Sequence, residues 1–388
     1  MSAAGERDDV GYRAIIAGGG TGGHLYPALN LAEALQRLAG EGIEILLVGA
    51  QRGVEARVLP ERGVAHRLLP LEPIHRHRPW RNWRLLPSAI RSAGEIRRLL
   101  GTFAPDLVVG TGGYAAGPVV AWAAIRGLPT AIQEQNSYPG LTTRWLAPYV
   151  DQLHLGYVEA MRHLRPGADT VVRVHGNPIR WPDQRPHPDS VRAHFGLGPG
   201  PVVLIVGGSQ GARPINEALS AALEAVDRGD LPPLPGDAQL LWSTGPAHHT
   251  AVSNRLSLLG TRVPVRTVPY IHEMEKALEV AALAVSRAGA LALAELCAWG
   301  VPSLLIPLPH AAADHQRWNA SSLQRQGAAI LLEQLEVTHS PGLLWCTLVD
   351  LLGEPGRLER MSRAAESRGN PHAADAIAAD FWRLMEDR

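Results

Sequence analysis

At 388 residues the chain is longer than one hydrophobic core usually serves, so two domains of somewhat under ~200 residues each are expected. Its 37 basic and 37 acidic side chains cancel to a formal net charge of +0, and 46% of residues are hydrophobic against 19% charged. That balance describes a globular protein and excludes a disordered chain and a general nucleic-acid binder. The two cysteines, Cys297 and Cys346, fall in apolar helix-like segments, which predicts buried, reduced, structural thiols and excludes a cysteine metal cluster.

In chain order, residues 12–17 form an apolar run that predicts a buried parallel strand. A glycine-rich turn follows, Gly18-Gly19-Gly20-Thr21-Gly22-Gly23-His24, and then an alanine- and leucine-rich helical stretch over 27–38. Further strands are predicted at 43–48, 106–110, 129–133, 152–155 and 171–174, with helix-like stretches between them. The segment Gly176-Asn177-Pro178-Ile179-Arg180-Trp181-Pro182, continuing through Pro186 and Pro188, can sustain neither a helix nor a central strand and marks the boundary. Beyond it the plan repeats, with strands at 202–206, 239–242, 263–268, 283–286, 303–306 and 328–332. The first of these leads into a second glycine turn, Gly207-Gly208-Ser209-Gln210-Gly211, and a helical stretch over 214–226. The expected fold is α/β, two Rossmann-like doubly wound parallel sheets over 10–179 and 180–371, with a final helix over 372–388 packing back on the first domain. Facing sheets would place both ligand-binding edges on one inter-domain cleft.

Glycines in the first turn let the backbone approach a ligand closely, and unpaired amides at the following helix start offer donors and a partial positive charge. A diphosphate or another oxyanion suits such a place. The turn lacks the Lys-Ser/Thr ending of a Walker A loop. It matches the loose G-x-G-x-x-G pattern at Gly18, Gly20 and Gly23, but Glu44 lies inside the next strand rather than at its end, which leaves dinucleotide binding the lesser alternative. His24 closes the turn at the helix start, where a neutral imidazole can take a proton from a hydroxyl; the plainer alternative is a capping or packing role.

Several motifs recur together in one order and spacing. They are Gly19 through Ala28, Gly112-Gly113-Tyr114-Ala115-Ala116-Gly117-Pro118, Glu134-Gln135-Asn136, Gly176 through Arg180, Gly207 through Arg213, Ala288-Gly289-Ala290-Leu291 through Glu295, and Asp314-His315-Gln316 with Asn319-Ala320. Together they resemble the MurG family of GT-B glycosyltransferases, from about Tyr12 to the C-terminus. The resemblance implies inverting transfer of N-acetylglucosamine from UDP-N-acetylglucosamine to undecaprenyl-diphospho-muramoyl-pentapeptide (lipid I), giving lipid II for peptidoglycan. It also implies a donor site in the second domain. Ser209, with the amides of Gly208 and Gln210, would hold the UDP diphosphate at a helix start, and Ala290, Leu291, Ala292, Leu293 and Ala294 would line the way to Glu295, whose carboxylate would accept both ribose hydroxyls. Gln316 would offer its amide to the sugar, Ile271 would bound the uracil pocket, and Arg180 would reach the donor from the hinge. Thr21, Gly22 and Gly23 with Asn136 would close over it from the first domain, where Gly20 and Tyr114 would meet the acceptor. Glu295 could instead be a solvated helix residue, but its apolar neighbours call for a partner.

This chain departs from the family pattern in two places. The usual Ser-Gly-Ala-Leu-Thr-x-x-Glu reads Ala288-Gly289-Ala290-Leu291-Ala292-Leu293-Ala294-Glu295, so two hydroxyls are missing and donor binding rests more on backbone amides. The usual His-Glu-Gln-Asn reads Gln133-Glu134-Gln135-Asn136, which leaves His24 as the first candidate base and Glu134 as the second. No Asp-x-Asp pair is present, so neither metal nor cofactor is expected, and the leaving diphosphate would be stabilised by helix amides and nearby donors.

A lipid-linked acceptor calls for membrane access. The start, Met1 to Val10, is polar and acidic, and no apolar run reaches the ~18 residues of a spanning helix, which predicts neither signal peptide nor transmembrane segment. Residues 74–86 carry Arg76, Arg78, Arg81, Arg84, Trp80 and Trp83 without an acid, which suits the anionic inner face of the plasma membrane; a soluble loop with packed tryptophans is the alternative. Two other functions remain open at this point: another GT-B enzyme using UDP-N-acetylglucosamine, such as a 2-epimerase or a glycolipid glycosyltransferase, and a non-catalytic binding protein on the same fold.

Overall fold

The strand Tyr12–Ala17 (β1) shows why the first sheet is parallel and covered on both faces. Ile15 and Ala17 enter one apolar cluster and Ala14 and Ile16 another, and all four are fully buried. The computed structural model describes residues 11–72, 86–260, 263–309 and 311–387. These fall into two compact units, divided at Arg180/Trp181, with the residues from His372 onward belonging to the first.

In the first unit β1 is followed by β2 (Ile43–Ala50), β3 (His66–Leu69), β4 (Leu107–Gly110), β5 (Thr130–Glu134), β6 (Gln152–Leu155) and β7 (Val171–Arg173). The order is β3-β2-β1-β4-β5-β6-β7, with every pairing parallel. The order reverses between β1 and β4, the place where such sheets bind ligands beyond the carboxyl ends of their strands. Strand β3 is absent from the sequence reading. It is a four-residue edge strand reading His-Arg-Leu-Leu, held by β2 alone, and it offers no apolar run to detect.

The C-terminal helix Ala373–Glu386 completes this unit. Ala374, Ile377, Ala378, Phe381 and Met385 recur on one helical stripe and share a buried cluster with Leu25, Leu29 and Leu35 of the helix Gly22–Ala39. Beneath it lies His154 of β6, whose ring meets Phe381 edge-on; burial pushes its imidazole down to about 3, so it is neutral.

The second unit contains β8 (Val202–Val206), β9 (Gln239–Ser243), β10 (Val265–Val268), β11 (Ala281–Ser286), β12 (Ser303–Leu305) and β13 (Ala329–Leu331). Their order is β10-β9-β8-β11-β12-β13, again parallel throughout, with the reversal between β8 and β11. Trp242 and Trp345 are fully buried, and each indole N–H is satisfied, by Asn216 Oδ1 at 3.1 Å and the Pro232 carbonyl at 2.8 Å. The cysteine expectation holds for one thiol. Cys297 is buried, and burial pushes it up to about 12, whereas Cys346 is exposed on the outer face of the helix Pro341–Gly353. Among the described residues no helix is long and apolar enough to cross a membrane.

Phe381→Ala is expected to cost about 3–5 kcal/mol, because it opens a cavity where the C-terminal helix seats. Denaturant unfolding measures this; a loss below ~1 kcal/mol would show that the helix contributes little to its unit.

Candidate active site

In the first unit the site is built at the carboxyl ends of β1, β4 and β5. The turn after β1 carries Gly20 at φ 87°, and Gly20 N–H donates to both oxygens of Glu55, at 3.0 and 2.8 Å. Glu55 is fully buried and also accepts from Ala50 N–H at 2.9 Å. The protein's own carboxylate therefore fills part of the anion nest expected for a ligand, and the Gly20 amide is not available to an acceptor. Gly20 still meets Tyr114, since a Cβ added there would lie 2.7 Å from the Tyr114 ring. Burial, and after it the charge of Glu55, raises the Tyr114 phenol pKa. Thr21 is the exposed N-cap and makes no side-chain cap bond. At the helix start His24 N–H and Leu25 N–H turn back to the Thr21 carbonyl, so the amides of Gly22 and Gly23 are the ones left for a ligand.

His24 sits in the first turn of the helix, half-buried. Its Nδ1 lies 3.1 Å from the Thr111 carbonyl and 3.0 Å from Gln135 Oε1. The Gln135 amide is oriented without ambiguity, because its Nε2 faces three oxygens: the Thr111 carbonyl at 2.8 Å, the Gln133 carbonyl at 2.9 Å and Gln133 Oε1 at 2.6 Å. Both partners of His24 Nδ1 are thus acceptors, so Nδ1 carries the proton and Nε2 of the neutral ring keeps its lone pair. The network continues inward. Gln133 Nε2 donates to Asn177 Oδ1 at 3.1 Å, and Asn177 Nδ2 donates to the Gln135 carbonyl at 2.9 Å. Gln133, Gln135 and Asn177 are all buried. Gly112 and Gly113 press on the ring, since a Cβ on either would fall 2.8 Å from His24 Nδ1 or 3.1 Å from Cδ2.

Glu134, the second candidate base, is differently engaged. Its carboxylate is buried and accepts from Asn136 N–H at 3.0 Å, Asn136 Nδ2 at 3.2 Å, Gly140 N–H at 2.9 Å and Thr143 Oγ1 at 2.6 Å. Those bonds shape the loop that presents Asn136. They leave no lone pair directed outward.

In the second unit the corresponding edge gathers the ends of β8, β10, β11 and β12. Gly208 and Gly211 adopt φ 92° and 73°, and a Cβ on Gly211 would lie 2.1 Å from the Thr244 carbonyl, so the turn is packed too closely for any other residue. Ser209 is exposed at its tip. The helix begins at Arg213 with Ala212 as N-cap, so Ser209 precedes the helix start instead of capping it. Beyond β10, Ile271 is buried. After β11, Gly289 caps the helix Ala290–Ala298; Leu293 N–H turns back to the Gly289 carbonyl and the Leu293 side chain is fully buried, so Leu291 and Ala292 carry the amides that a ligand can reach. Gln316 Oε1 accepts from Leu308 N–H at 2.9 Å, which leaves Nε2 as the end that can still donate. Its helix is reached through Ala313 and Asp314, both left-handed at φ 54° and 55°, a costly backbone shape of the kind kept at functional turns. Arg180 is exposed, at the end of the first unit.

Glu295 is half-buried on the helix Ala290–Ala298 and has no protein hydrogen bond among the described residues, so the partner its surroundings call for is not a side chain of its own unit. Burial, with Glu275 adding to it, raises its carboxyl pKa to about 7. The sequence reading also passes over Arg287. This buried guanidinium donates to the Ile306 and Pro307 carbonyls at 2.9 and 3.1 Å and to Gln334 Oε1 at 2.7 Å. Burial pushes it down to about 10, and no carboxylate pairs with it among the described residues. Its one sequence signal is a lone charge in the mostly apolar run 281–294.

Two parallel sheets of Rossmann order, each with a glycine turn and an open helix start at its carboxyl edge, are the arrangement of the GT-B fold, and the family comparisons make the chain a glycosyltransferase. Residues 14–155 match the glycosyltransferase family 28 N-terminal domain and residues 202–377 the family 28 C-terminal domain. The chain is 40% identical to the UDP-N-acetylglucosamine–N-acetylmuramyl-(pentapeptide) pyrophosphoryl-undecaprenol N-acetylglucosamine transferase of Moorella thermoacetica, over 96% of this chain and 99% of that one. It is also 40% identical to the protein of that name from Chlorobaculum parvum, over 96% and 100%. The crystal structure of Acinetobacter baumannii MurG superposes with a TM-score of 0.73 at 26% identity, over 96% of this chain and 99% of that one. A putative UDP-N-acetylglucosamine 2-epimerase from Listeria monocytogenes shares the fold at a TM-score of 0.66 and 16% identity, over 98% of each chain. The chain belongs to the MurG family of N-acetylglucosamine transferases.

The raised pKa of Glu295 has a definite sign. A carboxyl whose folded pKa lies above its ordinary 4.5 costs the fold stability as it ionises, nothing below about pH 4.5 and the full amount above about 7. Glu295→Gln is therefore expected to stabilise the unliganded protein at pH 8, on the order of 2 kcal/mol, and to leave it unchanged at pH 4. Thermal melts across that range test this; an equal gain at both pH values would contradict it.

Proposed function

We propose that the chain transfers N-acetylglucosamine from UDP-N-acetylglucosamine to the muramoyl 4-hydroxyl of lipid I, giving lipid II and UDP. The names of relatives sharing two fifths of the sequence over nearly full length support this reading, and the hydrogen bonding of His24 is the observation that carries its mechanism. His24 Nε2 takes the proton of the 4-hydroxyl as its oxygen attacks the anomeric carbon, and UDP departs from the opposite face, turning an α linkage into a β one. His24 is preferred to Glu134 because its Nε2 makes no protein hydrogen bond among the described residues, whereas the Glu134 carboxylate is spent on its own loop.

Donor and acceptor are divided between the units. Ser209, the amides of Leu291 and Ala292 and the positive charge of Arg287 hold the diphosphate and stabilise its developing charge. Glu295 accepts the ribose hydroxyls in its ionised form, and binding a hydroxyl pair draws its pKa down from about 7. Ile271 bounds the base, the Gln316 Nε2 contacts the sugar, and Arg180, Thr21 and Asn136 add donor contacts. The Gly22 and Gly23 amides, with Tyr114 alongside, receive the acceptor's diphosphate in place of the Gly20 amide. Residues 74–86, which but for the last lie outside the described residues, bring the protein to the anionic cytoplasmic face of the membrane.

Release of UDP from UDP-N-acetylglucosamine is expected only when a lipid I analogue is present. Release without acceptor would favour an epimerase or hydrolase, and donor binding with no turnover at all would favour a binding protein. His24→Ala is expected to lower kcat by about 10²–10⁴-fold while uridine nucleotide affinity is kept. Replacing Arg76, Arg78, Arg81 and Arg84 by serine is expected to abolish sedimentation with anionic vesicles and to leave turnover of a water-soluble acceptor unchanged; unaltered sedimentation would place the membrane contact elsewhere.

A further inference from the structure

Where the C-terminal helix Ala373–Glu386 meets the first sheet, three side chains converge that the transfer chemistry does not use. They are His154 in β6, His175 just after β7, and Asp380 on the helix, with donor atoms all within 4.8 Å of one another. His175 Nε2 stands 2.7 Å from Asp380 Oδ2, and His154 Nδ1 stands 4.0 Å from the same oxygen. His154 is fully buried, and its Nδ1 has no hydrogen-bond partner among the described residues. Its tautomer is fixed by a neighbour. Gln152 Nε2 donates to the Asp380 carbonyl at 3.2 Å, which turns Gln152 Oε1 toward His154 Nε2 at 3.0 Å. Nε2 therefore holds the proton, and Nδ1 directs a buried lone pair toward a carboxylate. The lone pair and the carboxylate oxygen stand 4.0 Å apart and repel one another, and a cation seated between them would turn that repulsion into attraction.

We propose that His154, His175 and Asp380 bind a divalent transition ion of the Zn²⁺ class, which clips the C-terminal helix to β6 and to the segment after β7. Two imidazole nitrogens with one carboxylate suit Zn²⁺ or Co²⁺ and do not suit Mg²⁺ or Ca²⁺. Tetrahedral bonds of about 2.0–2.1 Å set donor atoms roughly 3.3 Å apart. The separations of 2.7 and 4.0 Å bracket that value, so small side-chain rotations complete the site. The second shell is in place: Gln152 orients His154, and Arg383 Nη1 holds Asp380 Oδ1 at 2.9 Å, while the 2.7 Å hydrogen bond between His175 Nε2 and Asp380 Oδ2 is the contact whose proton the ion would displace to solvent. Arg383 and Arg173 are the cations facing the group, and both are exposed, so water screens their repulsion. The His175 side chain, 25% exposed, gives the ion its entry and leaves a fourth position for water.

The test uses the full-length protein, stripped with a chelator and dialysed, then titrated with Zn²⁺ against a chromophoric competitor and with Co²⁺ followed by visible absorption. The expected result is one tight equivalent, a tetrahedral Co²⁺ spectrum and a melting temperature that rises with Zn²⁺. His175→Ala and Asp380→Asn are each expected to weaken that equivalent by tenfold or more and to remove the Co²⁺ band. Both residues border solvent or keep their shape on substitution, and melting in the absence of metal checks that the variants fold. Absence of a stoichiometric equivalent, or one that survives both substitutions and so belongs to other histidines such as His75 and His77, would overturn the proposal.

Discussion

The bond from His24 Nδ1 to the Thr111 carbonyl and Gln135 Oε1 is the constraint on which the chemistry of the first unit rests. It fixes one proton on one nitrogen. Three strands supply the parts: β1 leads into the glycine turn that starts the His24 helix, β4 leads into Thr111, and β5 ends with Gln133 and Glu134 and leads into Gln135. Their neighbouring positions in a parallel sheet bring residues about 90 and 110 positions apart into one hydrogen-bonded set. Because Gln133, Gln135 and Asn177 are buried amides that satisfy one another, the set has no titratable member other than His24 itself. The glutamine at position 133, which stands where the family pattern has histidine, makes this possible.

The second unit solves a different problem with the same topology. Its edge presents open helix amides and a buried cation, where the first unit presents the His24 imidazole. Arg287 ties the end of β11 to the carbonyls after β12 and keeps a positive charge beside the first turn of the helix Ala290–Ala298. The two missing hydroxyls fall at Ala288 and Ala292, on either side of that helix start, where backbone amides and Arg287 can carry the charge. Glu295 has no hydrogen-bond partner among the described residues and a pKa raised by burial, which would favour its gaining one from a ligand's hydroxyls.

The strands were legible because parallel strands covered on both faces leave continuous apolar runs; β1, β6 and β8 fall on the residues that the sequence predicts. Strand β3 was not, since an edge strand of mixed polarity carries no such signature. The motifs located the glycine turns and His24. They did not reveal that Glu55, distant from every motif, occupies the Gly20 amide, nor that Glu134 turns inward on its own loop. A residue type and a spacing show which groups can meet; which lone pairs remain open depends on partners contributed by other strands. Arg287 and the His154 group stayed hidden for the same reason.

The most direct measurement of the central claim is ¹⁵N NMR of imidazole-labelled protein at a pH where His24 is neutral, with His24→Gln used to assign the signal. A ring protonated on Nδ1, with Nε2 showing the shift of an unprotonated nitrogen, is expected, and Gln135→Leu should blur it toward the mixture of tautomers seen for histidine in water. A wild-type ring protonated on Nε2 would contradict the assignment of His24 as the base.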